Sequence, residues 1–362
     1  MTSSILALAG GVGGAKLALG LALVLPPGAL TVVVNTGDDD AFHGMHVSPD
    51  LDTVMYTLAG MANRETGWGL SGETFRTLEA MEQYGAPTWF RLGDADLATH
   101  IRRTDLLRQG WSLSRVTHEL CARLGVVPSV VPMSDDPVRT IVLTDEGELA
   151  FQEYFVHRRC EPRITGTRFE GADSARIAPA FARAMASTEA LLFCPSNPLM
   201  SMGPILAVPG VREAIASFSG PRIAVSPIVG GQALRGPAAK MMAELGEQVS
   251  CVGVARRYQG LCDIMVIDDV DRMQAPAIEA LGMAVHVTNT IMESEEDKKA
   301  LALEVLAIVE GSGGACRARP APEVGDTLGL NSQQGSGGRP STGRGRQPAT
   351  PRTQKEERRA KA

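Results

Sequence analysis

The chain has 362 residues, 44% hydrophobic and only 4% aromatic, enough apolar material for one large or two ordinary domains but too few rings for a base-stacking platform. Its formal charge of −6 is uneven, because 311–362 holds ten Lys/Arg against four Asp/Glu and leaves 1–310 near −12. An acidic body excludes general polyanion binding, so no nucleic-acid partner is expected and any phosphate site must be local. The six cysteines (121, 160, 194, 251, 262 and 316) show no zinc-site spacing, and free thiols in a reducing cytoplasm are expected. The amino-terminal apolar run lacks the basic flank and cleavage site of a secretory peptide. No stretch reaches the roughly 18 apolar residues of a spanning helix, so no membrane partner is expected either.

The opening reads as strand 5–9, glycine turn 10–14, helix 15–25 and strand 30–35, the βαβ unit. From 53 to about 125 the pattern turns helical, at 53–61, 74–84, 95–109 and 112–124, which predicts a helical insertion over the sheet edge. Strands are expected at 141–143, 190–193, 222–226, 249–254 and 264–267, mostly separated by helices such as 178–187, 211–218 and 238–245. This alternation predicts an α/β, Rossmann-like, mainly parallel sheet with helices on both faces, spanning 1–310. From Gly311 onward the Gly, Ser, Pro and Arg composition predicts a disordered basic tail.

Chemistry concentrates at the ends of the expected strands. Gly10–Gly14 and Lys16 stand between strand and helix, where glycines bring consecutive N–H groups to an anion and the helix terminus favours it. The spacing matches neither the dinucleotide fingerprint nor a Walker loop. Asp38, Asp39 and Asp40 follow the second strand; three adjacent carboxylates require a divalent metal, a ribose or a hydroxyl opposite them, or else form a solvated acidic loop. Asp50 and Asp52 precede a helical pattern, as its cap or as two groups converging on one metal or hydroxyl. Asp94 and Asp96 repeat that theme, with His100 about one turn later. Ser134–Pro137 reads as a turn. The loops at 194–198, 201–205, 226–231 and 236–240 bring Ser, Asn, Gly and Pro to what a parallel sheet makes one rim.

Taken in order, GGVGGAK at 10–16, NTGDD at 35–39, SPDLDT at 48–53, TFRT at 74–77, LGDADLATH at 92–100, PMSDDPV at 132–138, FQ at 151–152, PSNP at 195–198, SPIVGG at 226–231 and GPAAK at 236–240 resemble the 2-phospho-L-lactate transferase family of coenzyme F-420 biosynthesis. The resemblance covers nearly all of 4–309. It implies transfer of a phospho-three-carbon acid (2-phospholactate, phosphoenolpyruvate or 3-phosphoglycerate) from a guanosine diphosphate donor to the terminal ribityl hydroxyl of the 5-deazaflavin Fo, with release of GMP. Mg²⁺ dependence and a homodimer are also implied. On this basis Gly11, Gly13, Gly14 and Lys16 are assigned to the donor phosphates, Asp38 and Asp39 to the metal, and Asp50 and Asp52 to catalysis. Thr53 joins the acceptor side, Ser196 and Asn197 take the guanine nucleotide, and Asn35, Asp94, Asp96 and His100 complete the ligand-binding set. The family usually reads GDRD where this chain has Ala95, removing a cationic fork from that segment. Two rival readings stay open: a nucleotide-diphosphate-binding regulator of the related gluconeogenesis-factor type, and an NAD-dependent oxidoreductase resting on the glycine turn alone.

Overall fold

Ile5–Ala9 is apolar and buried at every position, the pattern of a strand covered on both faces. The computed structural model of the chain describes residues 4–312. Its elements begin β1 (Ile5–Ala9), α1 (Gly11–Val24), β2 (Leu30–Val34), β3 (Asp40–Phe42) and β4 (Met45–Val47). Four helices follow: α2 (Pro49–Leu58), α3 (Arg76–Gln83), α4 (Asp94–Arg108) and α5 (Leu113–Arg123). Next come β5 (Ser129–Pro132), β6 (Arg139–Thr144), β7 (Gly147–Ala150), β8 (Ile164–Glu170), α6 (Pro179–Ser187), β9 (Ala190–Phe193), α7 (Met202–Ala207) and α8 (Val211–Ala216). The last third holds β10 (Arg222–Val225), β11 (Ile228–Val229), β12 (Gln232–Ala233), α9 (Ala238–Glu244), α10 (Cys251–Arg257), β13 (Ile264–Ile267), α11 (Ala275–Glu279), β14 (Ala284–Val287) and α12 (Glu295–Ser312).

Seven strands form one parallel sheet in the order β14-β13-β10-β9-β1-β2-β5. This is a doubly wound α/β fold of Rossmann type, as the alternation of strands and helices predicts. The two-residue period of the strands sorts the core. Leu6, Leu8, Val33, Leu191 and Phe193 face one layer with Phe181, Ile205, Met241 and Val254. Ile5, Ala7, Val32, Val34, Leu192 and Val225 face the other, with Leu17 and Leu21 of α1, Val54 of α2 and Val305 of α12. The four helices α2 to α5 lie between β2 and β5 in the chain. Among the described residues no helix is long and apolar enough to cross a membrane, and the five described cysteines are free and buried.

Three local expectations change. The strand expected at 249–254 is helix α10, because Ser250 caps it by accepting the Gly253 N–H at 3.2 Å; a short apolar run fits either period, and the cap decides. The segment 141–143 is a strand, but within a separate antiparallel sheet, β7-β6-β8. Arg139–Thr144 alternates buried and less buried positions, which suits a half-covered sheet rather than the central one. The glycine segment is not a loop ahead of a helix: α1 begins at Gly11, with Gly10 extended at its cap. The tail expected from Gly311 lies outside the described residues except for its first two, which complete α12.

Glycine at position 13 is a packing requirement. A methyl there would press into the Pro195 carbonyl oxygen, a backbone atom with little freedom to yield. Gly13→Ala should therefore cost about 3 kcal/mol in urea denaturation, the upper end for overpacking. Gly60→Ala should cost about 1 kcal/mol, since its φ of +72° is strained for alanine but an added methyl meets nothing within 4 Å.

Candidate active site

The direction of strand order reverses at β1 and β9, which lie side by side, so the segments leaving their carboxyl ends meet in the crevice where doubly wound folds bind ligands. Here Ser196 Oγ donates to the Gly10 carbonyl at 2.7 Å and accepts the Gly10 N–H at 3.0 Å. A side chain at Gly14 would lie 2.6 Å from that same hydroxyl, and one at Gly10 would lie 2.6 Å from Asp50 Oδ2. Gly11 has a φ of +60°, left-handed backbone that glycine adopts freely. The outcome is a helix N-terminus with no side-chain cap from Gly10 and no acidic residue in its own first turn; its Gly11 N–H serves the Asp50 carboxylate, and the terminus favours negative charge. Lys16 sits one turn along and gives its ammonium to the Met292 carbonyl at 2.7 Å; burial, followed by the charge of Arg235, lowers its pKa.

Two buried carboxylates face this terminus. Asp50 Oδ2 accepts from Asn35 Nδ2 at 2.9 Å, and Asn35 in turn takes the Gly37 N–H and reaches the Met200 carbonyl. Burial pushes the Asp50 carboxyl up to about 6. Asp38 is raised well above the usual carboxylate range, first by burial and then by the charge of Asp50, and its Oδ1 has no partner. Asp39 is placed differently from the pairing expected of it. Its Oδ2 is taken by Ser48 Oγ at 2.7 Å and by His46 Nε2 at 3.0 Å, and it does not line the cavity. The carboxylate that opposes Asp38 more strongly is Asp50, followed by Asp39, whose own carboxyl is raised by burial and whose Oδ1 has no partner.

Asp50 and Asp52 do not converge. The cap position of α2 is Ser48 with Pro49 after it, so both aspartates lie within the helix, and residues two apart on a helix point in divergent directions. Asp50 turns to Asn35, whereas Asp52 is held by the guanidinium of Arg103 through both oxygens, with Nη1 on Oδ2 at 3.0 Å and Nη2 on Oδ1. Arg103 is 2% exposed. His100 Nδ1 lies 3.7 Å from Asp52 Oδ2, His100 Nε2 lies 3.2 Å from Asp96 Oδ2, and Tyr56 Oη donates to Asp96 Oδ1 at 2.6 Å. Arg103 and Tyr56 were not singled out in the sequence. The signal was present, because 96, 100 and 103 share one helical face and 52 and 56 share another.

Asp94 is set apart from this group. It accepts from Thr74 Oγ1 at 2.6 Å and from the Arg76 and Thr77 N–H groups, capping α3 instead of lining the cavity; these bonds hold its carboxyl below the usual range. Glu73 returns the favour at α4, accepting from the Ala95 and Asp96 amides. Ala95 is exposed at that terminus and does not line the cavity.

One cavity of about 770 Å³ gathers Gly11, Gly13, Lys16, Asp38, Asp50, Asp52, Thr53, Asp96, His100, Ser196 and Asn197. Its remaining wall includes the aromatic side chains Trp68, Trp89, Phe90, Phe151 and Phe155, with Arg91, Gln152 and Arg235 among the polar ones. Trp89 stands edge-on to Phe90 at 5.8 Å, and Phe151 stacks on Phe155 at 5.5 Å. Gln152, from the FQ pair, reaches the Asp38 carbonyl at 3.5 Å. Gly14 and Asn35 stand immediately behind the lining, through Ser196 and Asp50 respectively.

A doubly wound fold with anion-ready amides, buried acids and an aromatic wall in one crevice defines an α/β enzyme acting on a phosphorylated ligand. The chain belongs to the 2-phospho-L-lactate transferase CofD family, whose profile it matches over residues 5–307. It is 44% identical over 312 residues to a phosphoenolpyruvate transferase of Streptomyces griseus, covering 84% of this chain and 98% of that one. To a 2-phospho-L-lactate transferase of Methanosarcina mazei it is 42% identical over 293 residues, covering 81% and 96%. Membership makes it a transferase, of the kind that the sequence resemblance associates with coenzyme F-420 biosynthesis. A UPF0052 family protein from Bacillus halodurans shares the fold, with a TM-score of 0.56 at 14% identity over 84% of this chain and 99% of that one.

Neutralising Asp50 and removing the partner of Asp52 should have opposite effects on stability. The folded chain holds the Asp50 proton more tightly than the unfolded chain, so this group's contribution to stability is full below about pH 4 and declines as pH rises to about 6, by up to about 3 kcal/mol. Asp50→Asn should melt at or above the wild-type temperature at pH 7.5. Arg103→Met strands the buried Asp52 charge and should cost about 3–5 kcal/mol. Thermal melts of the two variants side by side test the assignment.

Proposed function

We propose that the chain transfers a phospho-three-carbon-acid group from a guanosine diphosphate donor to the terminal ribityl hydroxyl of Fo, releasing GMP, with Mg²⁺ and as a cytoplasmic homodimer. The observation that carries this reading is the convergence of the glycine helix terminus, Asp38 and Asp50 in one cavity whose other wall is aromatic. A diphosphate suits the first part, and a flat tricycle suits the second.

The acids bear on the metal. Asp38 has an unpartnered buried oxygen and a carboxyl raised by burial, a group that a cation would stabilise. Among the described residues no group of three or more His, Cys, Asp or Glu side chains forms a self-sufficient metal cage. Mg²⁺ does not require one, since it commonly takes one or two carboxylates and fills its shell with phosphate oxygens and water. Asp38 would hold it, with Asp50 beside it and the unpartnered Oδ1 of Asp39 as the second acid of the expected pair. When bound, the ion supplies charge neutralisation for the diphosphate as the bond to the leaving GMP breaks.

The protein's own groups account for the rest. Gly11 and Gly13 offer backbone N–H groups to the donor phosphates, and Lys16 offers a cation one turn on. Ser196 and Asn197 contact the nucleotide from the β9 side. Asp50, basic enough at about 6 and ionised at neutral pH, takes the proton from the attacking hydroxyl. Asp52 works through Arg103 to fix the wall formed by α2 and α4, and so is a positioning residue. Asp96 and His100 orient the acceptor.

The decisive assay incubates the purified chain with Fo, Mg²⁺ and each of the three guanylylated acids, reading products by mass. One product per accepted donor with stoichiometric GMP is expected; Fo unchanged with all three would reject the transfer. The donors differ by a methyl, a methylene or a hydroxyl, worth about 1–3 kcal/mol in a fitted pocket, so preference among them should be graded. Turnover should rise through a limb near pH 6 that disappears in Asp50→Asn, with rate falling about 100-fold or more.

A further inference from the structure

We infer that Arg235 is a ligand of the donor's diphosphate, a second cation acting with Lys16 at the mouth of the cavity; the inference rests on the guanylylated-donor reading above. Arg235 follows the β11–β12 hairpin and is exposed. It lines the same cavity as Lys16 and the glycine terminus. Among the described residues no carboxylate lies within ion-pair range of its guanidinium, which instead donates to two neutral acceptors, the carbonyls of Thr66 and, at 3.2 Å, Glu65. Those carbonyls belong to a turn that is otherwise self-contained, with Asn63 accepting the Glu65 N–H at 2.9 Å and the Gly67 N–H bonded to the Asn63 carbonyl at 2.9 Å.

The turn touches the glycine terminus directly. A methyl on Gly67 would lie 2.7 Å from Val12 Cγ1 and 3.1 Å from Arg235 Nη1, so the guanidinium, the turn and the first turn of α1 are packed together. Arg235 and Lys16 stand close enough for their charges to interact unfavourably. Two acids, Glu293 and Asp297, lie near Lys16, but Asp297 is spent on the backbone amides of Glu293 and Ser294 and neither is in ion-pair range of Arg235. Two like charges gathered at a helix N-terminus, each resting on a carbonyl oxygen, are a pair arranged for an incoming polyanion. A phosphate oxygen is a stronger acceptor for guanidinium than a neutral carbonyl, and a planar fork suits two oxygens of a diphosphate. Exchange of the Thr66 carbonyl for phosphate would let Arg235 bridge donor and turn.

Titration calorimetry with GDP and with GMP, both with Mg²⁺, tests this on the full chain. Arg235→Met should weaken GDP binding about tenfold while GMP changes by about twofold or less, and Arg235→Lys should restore part of the loss. If Arg235→Met melts at a lower temperature yet binds GDP like wild type, Arg235 is only a structural tie and the inference fails. Equal losses on GDP and GMP would also overturn it, since the contact would not be with the diphosphate. Wild-type chain that binds neither nucleotide would sink the donor reading itself, a result distinct from either variant outcome.

Discussion

Backbone at Gly10–Gly14 lies against Pro195 and Ser196 because no side chain intervenes, and the crevice follows from that contact. The approach joins the ends of the two central strands at the point where the sheet reverses its order. It sets the first turn of α1 at the wall of the cavity, with no side chain of its own capping it. Asp50 then comes within reach of the same terminus, as α2 packs against α1 and Asn35 holds its carboxylate. Close backbone packing therefore creates both the anion site and the setting for the buried acids.

The acids are handled in two ways, and the contrast explains the division of labour. Asp52 is compensated within the protein by Arg103, a pair whose removal is costly but which is unavailable for chemistry. Asp38 and Asp50 are buried with no protein cation in ion-pair range among the described residues, and burial raises their pKa values, which costs stability when they are ionised. Proteins retain such uncompensated groups where a ligand or an ion supplies the missing charge. The proposed reacting region rests on Asp38 and Asp50, and the proposed positioning role of Asp52 rests on its pairing with Arg103.

Membership of the transferase family and the geometry of the crevice support one another, but they address different questions. Two relatives of similar identity have names that specify different acids, so overall likeness does not select a donor. Selection must arise from the few groups around the transferred acid, where one methyl or hydroxyl changes packing. The exposed Ala95, with its N–H taken by Glu73, lies outside the cavity wall and is poorly placed to decide it directly.

Much of this was legible in the chain itself. Fully apolar strand runs such as 5–9 and 190–193, separated by helical patterns, dictate a parallel sheet buried on both faces, and ordered loops at the strand ends dictate one functional rim. The motifs GGVGGAK, SPDLDT and PSNP carried the family. What the sequence left open was direction: Asp50 and Asp52 are two residues apart in either reading, and only helix α2 turns one to Asn35 and the other to Arg103. Likewise Asp38 and Asp39 are neighbours in the chain, yet His46 and Ser48 claim one of them. Local spacing determines which groups can meet, whereas long-range packing determines which of them are neutralised by the protein and which are left for a ligand.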